Sequence, residues 1–185
     1  MKKNFCVILI ALIFTILCSC SDTGKNSATD SSAQNREPTK EPIDTADTRL
    51  ANDLSVFCTS QINAARLAAT KASTQKVKAF AKQNMQLYTE LGNHLNQISE
   101  DYKIKLTAAP YATSKENLQH LNDIKGPSFD HAYLLQMLKD HNTMIREYNA
   151  AKNIQCVPLK TFVLSNQSTI IKQAYALSDL KDKTP

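Results

Sequence analysis

Three side chains past the middle of the chain have the types and spacing to do chemistry together. Met137, His141 and Met144 stand at i, i+4 and i+7, which is one face of an α-helix. Thioether sulfur and imidazole make a soft donor set that suits Cu(I), and Met85 could approach from a second helix. The same spacing serves plain packing, because methionine is a common filler of irregular cores. His141 has a second set of possible companions in Gln61, Asn84, Tyr88 and Asp130, each on the apolar stripe of a helical pattern. Buried polar groups need partners, so these five residues read as an interior polar network that fixes helix register. Asp130 and His141 are about three turns apart and do not touch. Gln61, Asn84 or Tyr88 can reach His141 across a bundle.

Other chemistries lack their residues. A di-iron carboxylate centre takes a glutamate from each of two helices and Glu-x-x-His from each of two more, and no Glu-x-x-His occurs here. No serine, histidine and acid arrangement suggests a nucleophile. Cys58 lies in a helical stripe with no adjacent base to form a thiolate. No catalytic residue and no cofactor are expected, and any metal would fall to His141 with Met137 and Met144. His94, His120 and His131 are isolated and expected at the surface, as is Asp140 beside His141.

The start of the chain carries an address. Lys2 and Lys3 precede Phe5 to Leu17, a run in which only Thr15 is polar. A bilayer span needs about 20 residues, so this run fits the core of a secretory signal peptide. It ends Leu17-Cys18-Ser19-Cys20, which resembles the lipobox of bacterial lipoproteins. That resemblance implies a signal peptide over residues 1–19, lipidation of Cys20, a palmitate-type anchor and a place in the cell envelope. Ser21 is not the aspartate that retains some lipoproteins in the inner membrane, which favours the outer membrane. Residues 20–46 then form a lipidated and disordered tether, rich in Ser, Thr, Asp and Asn, with too little apolar surface to offset its ordering entropy.

Composition narrows the rest. The 185 residues include three glycines and no tryptophan, and the net charge is +5. That balance excludes a glycine-rich nucleotide-binding α/β fold, and the field is too weak to argue for nucleic acid. From Thr48 onward the apolar period is helical. Helices are expected over about Thr48 to Ala72, Gln75 to Tyr102, Ser128 to Ala151, and Pro158 to Leu180. A short one is expected over Ser114 to Ile124, with Ser114 and Ser128 as N-caps and Ser73-Thr74 as a break that caps the next helix. Four long amphipathic helices make an all-α four-helix bundle over residues 47–182. The 25-residue connection between the second and third long helices is long enough to travel the whole bundle. The last helix then begins at the end where the first begins. That topology brings Cys156 toward Cys58, and a disulfide between them is an expectation tied to it, with two unpaired buried thiols as the alternative.

Val77-Lys78-Ala79-Phe80-Ala81, Phe129-Asp130-x-x-Tyr133 and Asp140-His141 together resemble the bacterial domain of unknown function 4142 family, over about residues 50 to 180. The resemblance implies an exported, ferritin-like bundle with a long crossover between helices 2 and 3. In that family the interior carries a glutamate and a histidine on the first two helices, and a Leu-Pro-x-Leu-x-x-His run on the last. Here those positions hold Gln61, Tyr88 and Ile170, with Ser165 for the proline, while Asp130, Tyr133, Asp140 and His141 match.

The expected function is therefore a membrane-anchored envelope lipoprotein. Its non-catalytic bundle would act by binding a protein or envelope component, with no nucleic acid. The alternative is a periplasmic metal-binding or redox protein with its site around His141.

Overall fold

The computed structural model describes residues 43–106, 112–150 and 153–184. The expected signal segment 1–19, Cys20 and the tether up to residue 42 lie outside the described residues. The described residues belong to one compact unit, Thr39–Pro185. They form five helices: α1 Thr45–Lys71, α2 Gln75–Asp101, α3 Ala112–Asp123, α4 Pro127–Ala150 and α5 Val157–Asp182. Among the described residues no helix is long and apolar enough to cross a membrane.

Each boundary has a local cause. α1 starts three residues before the sequence pattern suggests. Asp44 is its N-cap, with the carboxylate accepting from the Ala46 N–H, and Ile43 packs on the core. The folded unit thus begins before the expected boundary at residue 47. Thr74 caps α2 by accepting from the Val77 N–H at 3.3 Å, as Ser73-Thr74 foretold. α4 begins at Pro127 and not after a Ser128 cap. Proline suits a first helical position, where its missing N–H is no loss. Gly126 immediately before it has φ +66°, a left-handed conformation that glycine adopts without strain. α5 likewise starts with a proline in its first turn. α3 starts two residues before Ser114.

Contacts between ends fix the topology. Asn52, near the start of α1, donates to the Lys105 carbonyl beyond the end of α2, so α1 and α2 are antiparallel. Lys71, at the end of α1, donates to the Asn122 carbonyl at the end of α3. The crossover segment therefore runs back along the bundle, carrying α3. α4 then starts beside the α1–α2 turn, and α5 starts beside the beginning of α1. The long helices run up, down, down, up, the ferritin-like order expected.

The interior divides into two apolar halves. One gathers Leu50, Leu54, Phe57, Leu95, Leu159 and Phe162 toward the start of α1. The other gathers Ala64, Ala65, Ala68 and Ala81 against Phe129, Tyr133, Leu134 and Leu121. Small residues on α1 and α2 face bulky ones on α3 and α4. Gln61, Asn84 and His141 lie in sequence between residues of the two halves and are essentially fully buried.

Candidate functional site

The polar layer is built from three of the long helices. The His141 ring lies inside the bundle, with Nδ1 2.7 Å from the Met137 carbonyl and Nε2 2.5 Å from the Tyr88 hydroxyl. A carbonyl oxygen can only accept, so Nδ1 carries the proton and Nε2 accepts from Tyr88. Desolvation lowers the His141 pKa to about 4, and burial raises that of the Tyr88 phenol well above its ordinary value. The pair is neutral. The Phe57 ring stands edge-on to both, with centroids 5.3 Å from Tyr88 and 5.4 Å from His141.

Of the five residues expected to form one network, only Tyr88 and His141 bond to each other. Gln61 turns instead to Asp140, donating from Nε2 to Oδ2 at 3.3 Å. Its carbonyl oxygen finds no partner among the described residues. Asn84 lies beside Tyr133, and neither the amide nor the hydroxyl completes a hydrogen bond among the described residues. Asp130 serves a helix end. Its two carboxylate oxygens accept from the Ser73 N–H at 2.6 Å and the Thr74 N–H at 2.8 Å. A carboxylate there satisfies amides at the start of α2 that have no partner inside the helix.

Of the soft donors expected beside His141, Met137 packs in one apolar half and Met144 in the other. Met137 meets His141 through its backbone carbonyl, and the one imidazole lone pair is taken by Tyr88. Met85 packs with the same apolar half as Met137. Among the described residues no group of three His, Cys, Asp or Glu is arranged to hold a metal ion.

The expected disulfide is corrected by register. Cys58 and Cys156 are both free and buried. The topology does bring the start of α5 to the start of α1, where Asp47 accepts from the Gln155 N–H at 3.0 Å and the Cys156 N–H at 2.6 Å. Cys58 lies eleven residues further along α1, about 16 Å at 1.5 Å per residue. A disulfide needs Cα atoms within about 7 Å. Burial pushes the Cys58 thiol up to about 12, so it is not a nucleophile.

Asp140 is also corrected. It is not a plain surface residue but is largely enclosed, accepting from Gln136 Nε2 at 2.8 Å as well as from Gln61. Desolvation raises its pKa to about 6, against the opposing pull of the Gln136 amide and the Lys139 charge. It lines a cavity of about 290 Å³ between α1, α3 and α4, together with Phe57, Ser60, Leu118, Met137 and Glu147. Sequence reasoning missed this cavity and the Asp47 clasp. The clasp had a signal, since Asp47 continues the stripe Leu50, Leu54, Phe57, Gln61 by one step of three.

A family model for a domain of unknown function, DUF4142, matches residues 31–180. The fold is similar to the crystal structure of a DUF305 fragment from Deinococcus radiodurans, with a TM-score of 0.70 at 7% identity, covering 77% of this chain and 99% of that one. No curated protein matches the sequence.

Proposed function

The chain belongs to the DUF4142 family, a domain of unknown function, and from that premise we propose a lipid-anchored envelope protein whose bundle is a non-catalytic binding module. The anchor is Cys20, in the outer membrane in preference to the inner. The bundle binds a protein or another envelope component with its outer faces. What supports the non-catalytic reading is one observation: both ring nitrogens of His141 are committed to hydrogen bonds within the protein. An imidazole held this way, with its pKa lowered to about 4, ties α2 to α4 and offers neither a free base nor a vacant ligand position. What supports the anchor is the Lys2-Lys3 start, the apolar run and Leu17-Cys18-Ser19-Cys20.

Two measurements test the reading. Cells fed a palmitate analogue should label the protein, and Cys20→Ser should abolish the label and release the chain from the membrane fraction. Elemental analysis and anaerobic titration with Fe(II), Zn(II) and Cu(I), on the chain from Ser21 onward without a histidine tag, should give no stoichiometric binding. Binding that disappears in His141→Ala would replace this reading with that of a metal protein.

A further inference from the structure

The cavity between α1, α3 and α4 has the composition of a ligand site. Its volume of about 290 Å³ lies at the lower edge of the range for small-molecule pockets, about 300–1,000 Å³. Its walls are apolar where Val56, Phe57, Leu118, Leu121, Met137 and Met144 contribute. Its charged lining is Asp53, Asp140, Glu147 and Lys115, of which Asp53 is paired with Arg49 at 3.9 Å.

Asp140 is the group of interest. Both of its present partners are neutral side-chain amides, Gln61 on α1 and Gln136 on α4. Among the described residues no lysine or arginine forms an ion pair with it. Each carboxylate oxygen can accept two hydrogen bonds, and each receives one, so acceptor capacity remains on both. Buried carboxylates are normally paired, and an enclosed one without a counter-ion favours a cation brought from outside. The apolar walls favour a hydrocarbon body on that cation.

We propose that this cavity binds a small apolar amine, with its ammonium group donating to Asp140 and its hydrocarbon part lying against Phe57, Leu118 and Met137. The site goes beyond the anchoring role and does not depend on it. Phe57 lines the cavity and also packs on the His141–Tyr88 pair, but neither member of that pair lines the cavity.

The charge on Asp140 sets the pH response. The ionisable groups around it are Asp53 on α1, Lys115 on α3, and Lys139, His141 and Glu147 on α4. His141 is neutral down to about pH 4. With Asp140 held up to about 6, its ionised fraction rises about tenfold between pH 5 and pH 7, and amine affinity should rise with it.

The test is calorimetric titration of the chain from Ser21 onward with three probes of like shape: 2-phenylethylamine, 2-phenylethanol and 3-phenylpropionate. The amine should bind saturably and at least tenfold more tightly than the alcohol, with the carboxylate weaker still, and its affinity should rise about tenfold from pH 5 to pH 7. Asp140→Asn should erase both the preference and the pH dependence. Leu118→Phe, which fills the cavity from α3, should abolish binding of every probe while circular dichroism stays unchanged. Equal binding of amine and alcohol would overturn the proposal, as would amine binding untouched by either variant or no saturation by the amine at pH 7. Metal binding at His141 would overturn the non-catalytic reading above and leave this titration unaffected, so the two proposals fail separately.

Discussion

The Tyr88 hydroxyl donates to His141 Nε2 across 2.5 Å, joining α2 to α4 in the interior where the two apolar halves of the bundle meet. The bond fixes the tautomer of the imidazole, because Nδ1 already donates to the Met137 carbonyl. Removing the donor while keeping the ring isolates its contribution. Tyr88→Phe should lose about 1–3 kcal/mol, the cost of a buried acceptor left without a partner, at unchanged helix content. Urea unfolding at pH 7, followed by circular dichroism, measures it. A variant as stable as the parent would show that the bond contributes nothing net.

The neighbouring residues Asp140 and His141 respond to acid in opposite senses. His141 titrates near 4 in the folded chain against 6.5 for the free side chain. Its contribution is complete above pH 6.5 and lost as pH falls toward 4, a change of about 3 kcal/mol at 1.36 kcal/mol per unit. Asp140 titrates near 6 against 3.8. The folded state binds its proton more readily, so stability drops as pH rises from 3.8 through 6, by about 2 kcal/mol after discounting for partial exposure. Between pH 4 and pH 6 the two slopes largely cancel. Asp140→Asn should expose the histidine slope, and His141→Gln the opposite slope, in unfolding measurements at half-unit pH steps.

Asp47 should carry more stability than a first-turn carboxylate usually does. It is 2% exposed and satisfies two backbone amides more than a hundred residues away in sequence. Asp47→Ala should cost about 1–3 kcal/mol, since a buried donor at Cys156 and a part-buried one at Gln155 lose their partner. Hydrogen exchange should quicken first at Gln155 and Cys156, ahead of the rest of α5.

Cys58 should resist chemistry that reaches ordinary thiols. Its pKa of about 12 leaves almost no thiolate at pH 8. Iodoacetamide at that pH should leave Cys58 unmodified in the native chain and alkylate it fully in 6 M guanidinium. Non-reducing peptide mapping should find no Cys58–Cys156 peptide pair, even after exposure to oxidised glutathione.

Leu121 is the one fully buried residue of α3. Leu121→Ala should loosen the crossover helix with a cost of about 2–5 kcal/mol, the range for deleting a buried leucine side chain. Proteolysis should then begin within 112–123, before any cut in the four long helices.

The sequence carried the architecture because a 3.6-residue period and a 25-residue connection are properties of the chain itself. The stripes through Leu54, Tyr88, His141 and Leu159 name the buried faces, and the length between α2 and α4 permits the crossover. Pairings within the polar layer were less legible. Period places Gln61, Asn84, Tyr88 and His141 on inward faces but leaves open the rotation and axial offset that decide which atoms meet. Tyr88 reaches His141, while Gln61 is drawn to Asp140. Asp140 itself was unreadable for a different reason. It flanks the main stripe of α4, and what encloses it is Gln61 of α1 and a cavity roofed by α3, whose course over the bundle no local pattern encodes. The cysteines failed on offset: the right ends meet, three turns away from the sulfur.

Asp47 has a mechanical meaning as well as a thermodynamic one. The chain enters the folded unit at Thr45, and two residues later the Asp47 carboxylate grips the amides at the start of α5. A pull arriving from the N-terminal side therefore does not peel α1 from its free end. It is divided at once between the first helix and the last, which lie parallel and are loaded along their axes. Hydrogen bonds sheared together along such axes resist force better than bonds opened one after another. Load applied at the first turn of α1 is thus met by two helices at once.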